Sequence, residues 1–151
     1  MPSHPSCSDT PCTSGGLFTT NVFAAPPVLY DKQLLASHGA KVRGVVVNTR
    51  VANACTGEEG ASNARAFSKL AEEQLGLPPS SMYNLSTGVI GAQLPLEKLD
   101  LGIGKLVKNL GSTAQHWEQA CQGILTTDTK AKHGYLEVAD GYTIAGCIKG
   151  G

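Results

Sequence analysis

Val42-Arg43-Gly44-Val45-Val46-Val47-Asn48 decides the fold class. Three consecutive valines mark a strand buried on both faces, the situation of a sheet covered by helices. The loop that follows, Thr49-Arg50-Val51-Ala52-Asn53-Ala54-Cys55-Thr56-Gly57-Glu58-Glu59-Gly60, is rich in small residues and delivers the chain into a helix. Its polar side chains are candidates to line a pocket. Ala61, Ala64, Phe67, Leu70, Ala71 and Leu75 then recur at spacings of three and four, giving one apolar helix face with Arg65, Lys69 and Glu72 on the other. Gly76 followed by Leu77 and Pro78 predicts a glycine stop with a hydrophobic latch and a breaker. Met82 to Leu85 reads as the next strand. Strand, helix and strand thus alternate, and the expected class is α/β.

That second strand runs into Asn84-Leu85-Ser86-Thr87-Gly88-Val89-Ile90-Gly91. Gly88 and Gly91 let the backbone turn sharply and leave N–H groups exposed where a strand ends. Such a turn can hold a developing negative charge. Read alone, Ser-Thr-Gly is more often a plain strand-to-helix turn with a capping hydroxyl. Only the rest of the chain decides between the two.

Upstream, residues 1–14 are rich in Ser, Pro and Thr and are expected to be poorly ordered, leaving a domain over residues 15–151. Leu17 to Phe23 and Val28 to Tyr30 read as extended segments separated by a bend at Pro26-Pro27. Asp31 is expected to cap a short helix running through Leu35 and stopping near Gly39. Downstream, Leu94 to Gly111 predicts a helix or a pair of helices interrupted around Gly102 and Gly104. Thr113 to Ile124 predicts a further helix with Trp117 and Ala120 inward. Tyr135 to Val138 and Tyr142 to Cys147 alternate around Asp140-Gly141, a two-residue hairpin signal.

Length and composition narrow the function classes. The 151 residues suit one domain, and twelve basic against twelve acidic side chains give no global field toward nucleic acid or an acidic membrane. No apolar run approaches the roughly 20 residues that span a bilayer. The five cysteines are odd in number, scattered and without metal-ligand spacing, so reduced thiols of an intracellular protein are expected and no metal is. Cys55, Cys121 and Cys147 read as small buried hydrophobes, and His38, His116 and His133 as surface or packing residues. Arg43 is the first arginine, which leaves no visible arginine-rich import segment.

Several separated stretches, in order, give the chain a resemblance to one family. They are Gly16-Leu17-Phe18-Thr19-Thr20-Asn21, Ala25-Pro26-Pro27-Val28, Val45-Val46-Val47-Asn48, Ala52-Asn53-Ala54-Cys55-Thr56-Gly57, Ser86-Thr87-Gly88-Val89-Ile90-Gly91, Thr126-Thr127-Asp128-Thr129 and Lys149-Gly150. The chain resembles the N-terminal, α-chain part of the ornithine acetyltransferases, the ArgJ-type glutamate N-acetyltransferases of arginine biosynthesis. The resemblance implies an α/β sandwich of the DmpA/ArgJ type, incomplete without the β-chain part. It also implies acetyl transfer from N-acetylornithine to glutamate, with acetyl-CoA as an additional donor in some members and no resident cofactor. Such enzymes cut themselves into α and β chains, and the new N-terminal threonine of β is the nucleophile. By match, the Thr87 hydroxyl and the Gly88 N–H form the oxyanion hole. Thr126 and Lys149 match substrate contacts, and a lysine ammonium suits a substrate carboxylate.

This sequence ends before the family's Ala-Thr junction, so it contains no nucleophile by this reading. It is expected to be inactive alone and to act with a β chain in an α/β heteromer, in the cytoplasm or, in a eukaryote, the mitochondrial matrix. Arg50-Val51 stands where the family usually has Gly-Asn, and Ala131 replaces a usual proline. The alternative is a truncated, non-catalytic remnant that acts at most as a binding or interaction module.

Overall fold

A computed structural model describes residues 4–39, 41–139 and 141–149. Strand β1 (His4–Cys12) lies antiparallel to β2 (Val42–Asn48), which pairs in parallel with β3 (Met82–Ser86). The order β1-β2-β3 makes β2 the central strand of one sheet. Between β2 and β3 runs α2 (Gly57–Leu75), a helical crossover of the kind that parallel strands require. Helix α1 (Pro26–His38) precedes β2; α3 (Leu96–Val107) and α4 (Ala114–Gly123) follow β3. The chain then forms a separate hairpin from β4 (Lys132–Val138) and β5 (Tyr142–Ile148). Gly141 turns this hairpin at φ 85°, a left-handed conformation suited to glycine, while its expected partner Asp140 lies outside the described residues.

The core lies between the sheet and two helices. Val46 of β2, Met82 of β3, Phe67 and Ala71 of α2, and Ile103 of α3 are all fully buried, with Leu94 beside them. Val47 is buried on the opposite face, so the valine run is covered on both sides at its end. Val45 is only half-buried and Leu85 is exposed there, which leaves that second face partly open. The α2 stop forms as the sequence predicts. Gly76 takes φ 65°, and Leu77 N–H donates to Glu72 O at 2.8 Å.

Four expectations change. The start is not a loose tail from residue 4 onward: His4–Cys12 is a strand, interrupted by a register shift between Cys7 and Cys12. Its pairing with the edge of β2 supplies what composition does not, and Arg43 Nε donates to Ser8 O at 2.8 Å across the shift. Val28 to Tyr30 is helical and Asp31 lies inside α1 rather than capping it, because Pro26 and Pro27 occupy the opening turn, where a missing N–H costs nothing. Leu17 to Phe23 forms no strand; without a partner to pair with, Leu17 and Val22 stand fully exposed. Helix α3 runs unbroken through Gly102 and Gly104.

Glu72 also departs from its expected solvent face, being 4% exposed. Its Oε1 accepts the N–H groups of Ser81 and Met82 at 2.8 and 3.0 Å and so holds the start of β3 against α2. The amphipathic count places it correctly by angle but ignores the chain returning over that side of the helix. Among the described residues no helix is long and apolar enough to cross a membrane.

Candidate functional site

Parallel pairing of β2 with β3 carries both strands to one end of the sheet, and the Thr87-Gly88 turn sits there. The pairing does not stop at Ser86. Thr87 N–H donates to Asn48 O at 3.1 Å, Val89 N–H to Arg50 O at 2.9 Å, and Ala52 N–H to Val89 O at 2.9 Å. Gly88 lies between these bonds at φ 142°, and a Cβ on it would run into the backbone of Arg50. Glycine is therefore required twice, by the dihedral and by the approach of the neighbouring loop. Arg50 itself takes φ 81°, a region that side chains other than glycine rarely adopt.

The turn leaves two donors over. Among the described residues, neither the Gly88 N–H nor the Thr87 hydroxyl has a hydrogen-bond partner, and Gly88 is exposed. The Thr87 N–H, by contrast, is engaged by Asn48. A fixed backbone with one free N–H and an adjacent hydroxyl can stabilise an oxyanion.

The other expected site residues stand elsewhere. Thr126 is exposed in the turns after α4, and Lys149 is half-buried immediately after β5. Neither hydrogen-bonds to Thr87 or Gly88 among the described residues, and Gly150, the partner of Lys149 in its motif, lies outside them. A cleft of about 680 Å³ between β1 and the ends of α2, α3 and α4 contains none of the four. It is lined by Arg43, Leu75, Leu106, His116 and Trp117 among others.

The loop after β2 proves to be a brace for α2. Asn53, 1% exposed, accepts the Thr56 hydroxyl at 2.6 Å and donates to Gly60 O at 2.8 Å. Thr56 therefore does not cap α2 with its side chain. Beneath β3, Asp31 Oδ1 accepts the N–H of Asn84 at 3.0 Å, and burial pushes the Asp31 carboxyl up to about 7 against the pull of that bond. Of the three cysteines read as buried, Cys121 alone is; Cys55 and Cys147 are exposed. Burial, then the neighbouring Cys147, raises the Cys121 thiol to about 11.

Asn48 and Ser86 bond to each other beneath this turn, the Ser86 hydroxyl donating to Asn48 Oδ1 at 2.6 Å, and motif reading does not single them out. Both lie inside matched stretches, and the available signal was a polar residue closing an otherwise apolar strand.

The structure is thus an α/β domain with two unpartnered donors on a turn at the end of a parallel strand pair. The chain belongs to the ArgJ family, whose profile matches residues 6–151. It is 44% identical over 146 residues to the arginine biosynthesis bifunctional protein ArgJ of Thermotoga neapolitana, covering 95% of this chain and 36% of the relative. The mitochondrial ArgJ of Neurospora crassa is 43% identical over 126 residues, covering 83% of this chain and 27% of the relative. The chain thus spans about a third of the length of these relatives. Among solved structures, ArgJ from Bacillus halodurans superposes with a TM-score of 0.86 at 30% identity, covering 97% of this chain and 77% of that one. The ornithine acetyltransferase of Mycobacterium tuberculosis, crystallised with ornithine, gives 0.87 at 31% identity, covering 95% and 75%. These likenesses bear out the ArgJ-like α/β fold.

Proposed function

We propose that this chain is the α portion of an ornithine acetyltransferase, a glutamate N-acetyltransferase of arginine biosynthesis. In this reading the acetyl carbonyl of N-acetylornithine lies against Thr87 and Gly88. A threonine hydroxyl from a β portion attacks the carbonyl carbon. The carbonyl oxygen takes up the negative charge and receives hydrogen bonds from the Thr87 hydroxyl and the Gly88 N–H. Collapse expels the ornithine amine, with the proton supplied by the base that activated the threonine, and leaves an acyl-threonine. Attack by the glutamate amine reverses the sequence and releases N-acetylglutamate. Lys149 pairs with a substrate carboxylate and Thr126 helps to orient the substrate. Acetyl-CoA serves as an alternative donor, and no bound cofactor takes part. The compartment is the cytoplasm of a bacterium or the mitochondrial matrix of a eukaryote.

The observation that carries this reading is the pair of unpartnered donors, Gly88 N–H and Thr87 hydroxyl, on a turn fixed from both sides by β2 and its loop. The exposed apolar side chains of the hairpin, Tyr135, Leu136, Tyr142 and Ile144, favour a further covering segment, which the β portion supplies here. The test is to produce the 151-residue chain alone and with the complementary C-terminal segment of the Thermotoga neapolitana relative. Formation of N-acetylglutamate from N-acetylornithine and glutamate is then followed by mass spectrometry. The expected result is no transfer by the chain alone and transfer by the assembled pair. Transfer by the chain alone contradicts the division of labour; a stable but inactive pair favours the non-catalytic binding module instead.

A further inference from the structure

Asn48 closes β2 and is 3% exposed. A buried carboxamide must satisfy its donors and its acceptor, and this one does so at the oxyanion turn. Its Oδ1 accepts the Ser86 hydroxyl at 2.6 Å, and its Nδ2 donates to Val51 O at 2.8 Å. Its main-chain carbonyl accepts the Thr87 N–H at 3.1 Å. One residue therefore grips three points: the position before Thr87, Thr87 itself, and the loop whose Arg50 backbone abuts Gly88. The bonds between Val89 and the Arg50 to Ala52 loop close the far side. What remains unbound inside this frame is the Gly88 N–H.

We infer that Asn48 is a positioning residue for acyl transfer: by joining Ser86 to Val51 it fixes the direction of the Gly88 N–H and the Thr87 hydroxyl. This rests on the acyl-transfer reading above. The physical reason is that an oxyanion hole works by being organised before charge develops, so that no reorganisation is needed at the moment of reaction. Arg50 increases the demand on the frame. With φ 81° at a residue other than glycine, the loop relaxes away from Gly88 unless something holds it, and the Asn48 carboxamide bonds the very next carbonyl. The side chain makes no direct contact with the reacting atoms in this scheme; it acts through Ser86, Val51 and Thr87.

The experiment compares Asn48→Asp, Ser86→Ala, Ser86→Thr and Thr87→Ala. Asn48→Asp keeps an acceptor for Ser86 and loses the donor to Val51, Ser86→Ala removes the other arm, and Ser86→Thr retains the hydroxyl. Two readouts are taken. Amide hydrogen exchange at Val89 and Ala52 is followed in the 151-residue chain, with the amides of β2 as the internal reference. kcat and KM are measured in the assembly with the complementary segment. Asn48→Asp and Ser86→Ala are expected to speed exchange at Val89 and Ala52 relative to β2. They are also expected to lower kcat by about tenfold to 10²-fold with little change in KM, and Ser86→Thr to restore it. Unchanged exchange at Val89 and Ala52 overturns the inference whatever the activity, as does a kcat that falls only in proportion to the folded fraction. If Thr87→Ala leaves kcat intact, the oxyanion reading itself fails and the inference falls with it. If Thr87→Ala costs rate and the Asn48 and Ser86 variants do not, only the positioning role is lost.

Discussion

Val46 of β2 and Ile144 of β5 are both branched aliphatic residues within strands, yet the first is 0% exposed and the second 55%. The contrast extends to their surroundings. Around Val46 one face of the sheet closes against α2 and α3, with Phe67, Ala71, Met82 and Ile103 fully buried and Glu72 and the Asn84 side-chain amide bonded inside it. In the hairpin, every described residue of β4 and β5 except Val138 is exposed. A two-stranded hairpin is marginal by itself, since neither face is removed from water. The first region thus has a core closed on one face of its sheet, and it presents the Thr87-Gly88 turn. The second is a surface whose apolar side chains stay exposed to water.

Substitution in the two regions tests this contrast most strongly. Phe67→Ala is expected to cost about 3–5 kcal/mol, because it opens a cavity in a closed core. Ile144→Ala is expected to stay within about 0.5 kcal/mol. Urea unfolding followed by circular dichroism reads both, and comparable losses would show that the hairpin already belongs to the folding core.

A smaller effect, dependent on pH, comes from Asp31, which ties α1 to the edge of β3 through the Asn84 N–H. Its carboxyl titrates at about 7 in the fold against an ordinary 3.8, so the folded chain holds the extra proton between those values. Its contribution to stability therefore falls as pH rises from about 4 to about 7, and the penalty is complete above that. Asp31→Asn retains an oxygen acceptor and removes the desolvated charge. The expected outcome is a flatter stability profile across that window and a higher urea midpoint at pH 8. An unchanged slope would place the titration elsewhere.

Least in size is the effect of Arg50→Gly. The left-handed φ at Arg50 costs an L-residue about 1–2 kcal/mol, and the extra freedom of glycine in the unfolded chain offsets about half of that. A gain of about 0.5–1 kcal/mol is expected, seen as a modest rise in Tm. A fall would mean that the arginine side chain contributes something that its exposed position does not suggest.

Much of the fold is legible because its signals are local. The valine run, the three-and-four spacing of α2, the Gly76-Leu77-Pro78 stop and the hairpin alternation each depend on neighbours in sequence. What escaped depends on partners far along the chain. His4–Cys12 becomes a strand only because β2 has a free edge, Leu17 to Phe23 stays irregular because it has none, and Glu72 is buried by the return of Ser81 and Met82. Pro26-Pro27 suits a bend between extended segments, but two prolines also suit the first turn of a helix, which is where they stand. At the site, the resemblance pointed to Thr87 and Gly88, but not to the carboxamide beneath them. A motif marks which residues recur in a family, while the bonds of Asn48 to Ser86 and Val51 follow from register and burial.

The most direct test of the proposed acyl transfer is turnover of N-acetylornithine and glutamate by this chain carrying Thr87→Ala, assembled with the complementary segment. Loss of one oxyanion donor is predicted to lower kcat about 10²–10³-fold and to leave KM nearly unchanged. An assembled, folded variant that turns over at the unmodified rate would contradict the account, because the Thr87-Gly88 turn would then be a strand end and nothing more.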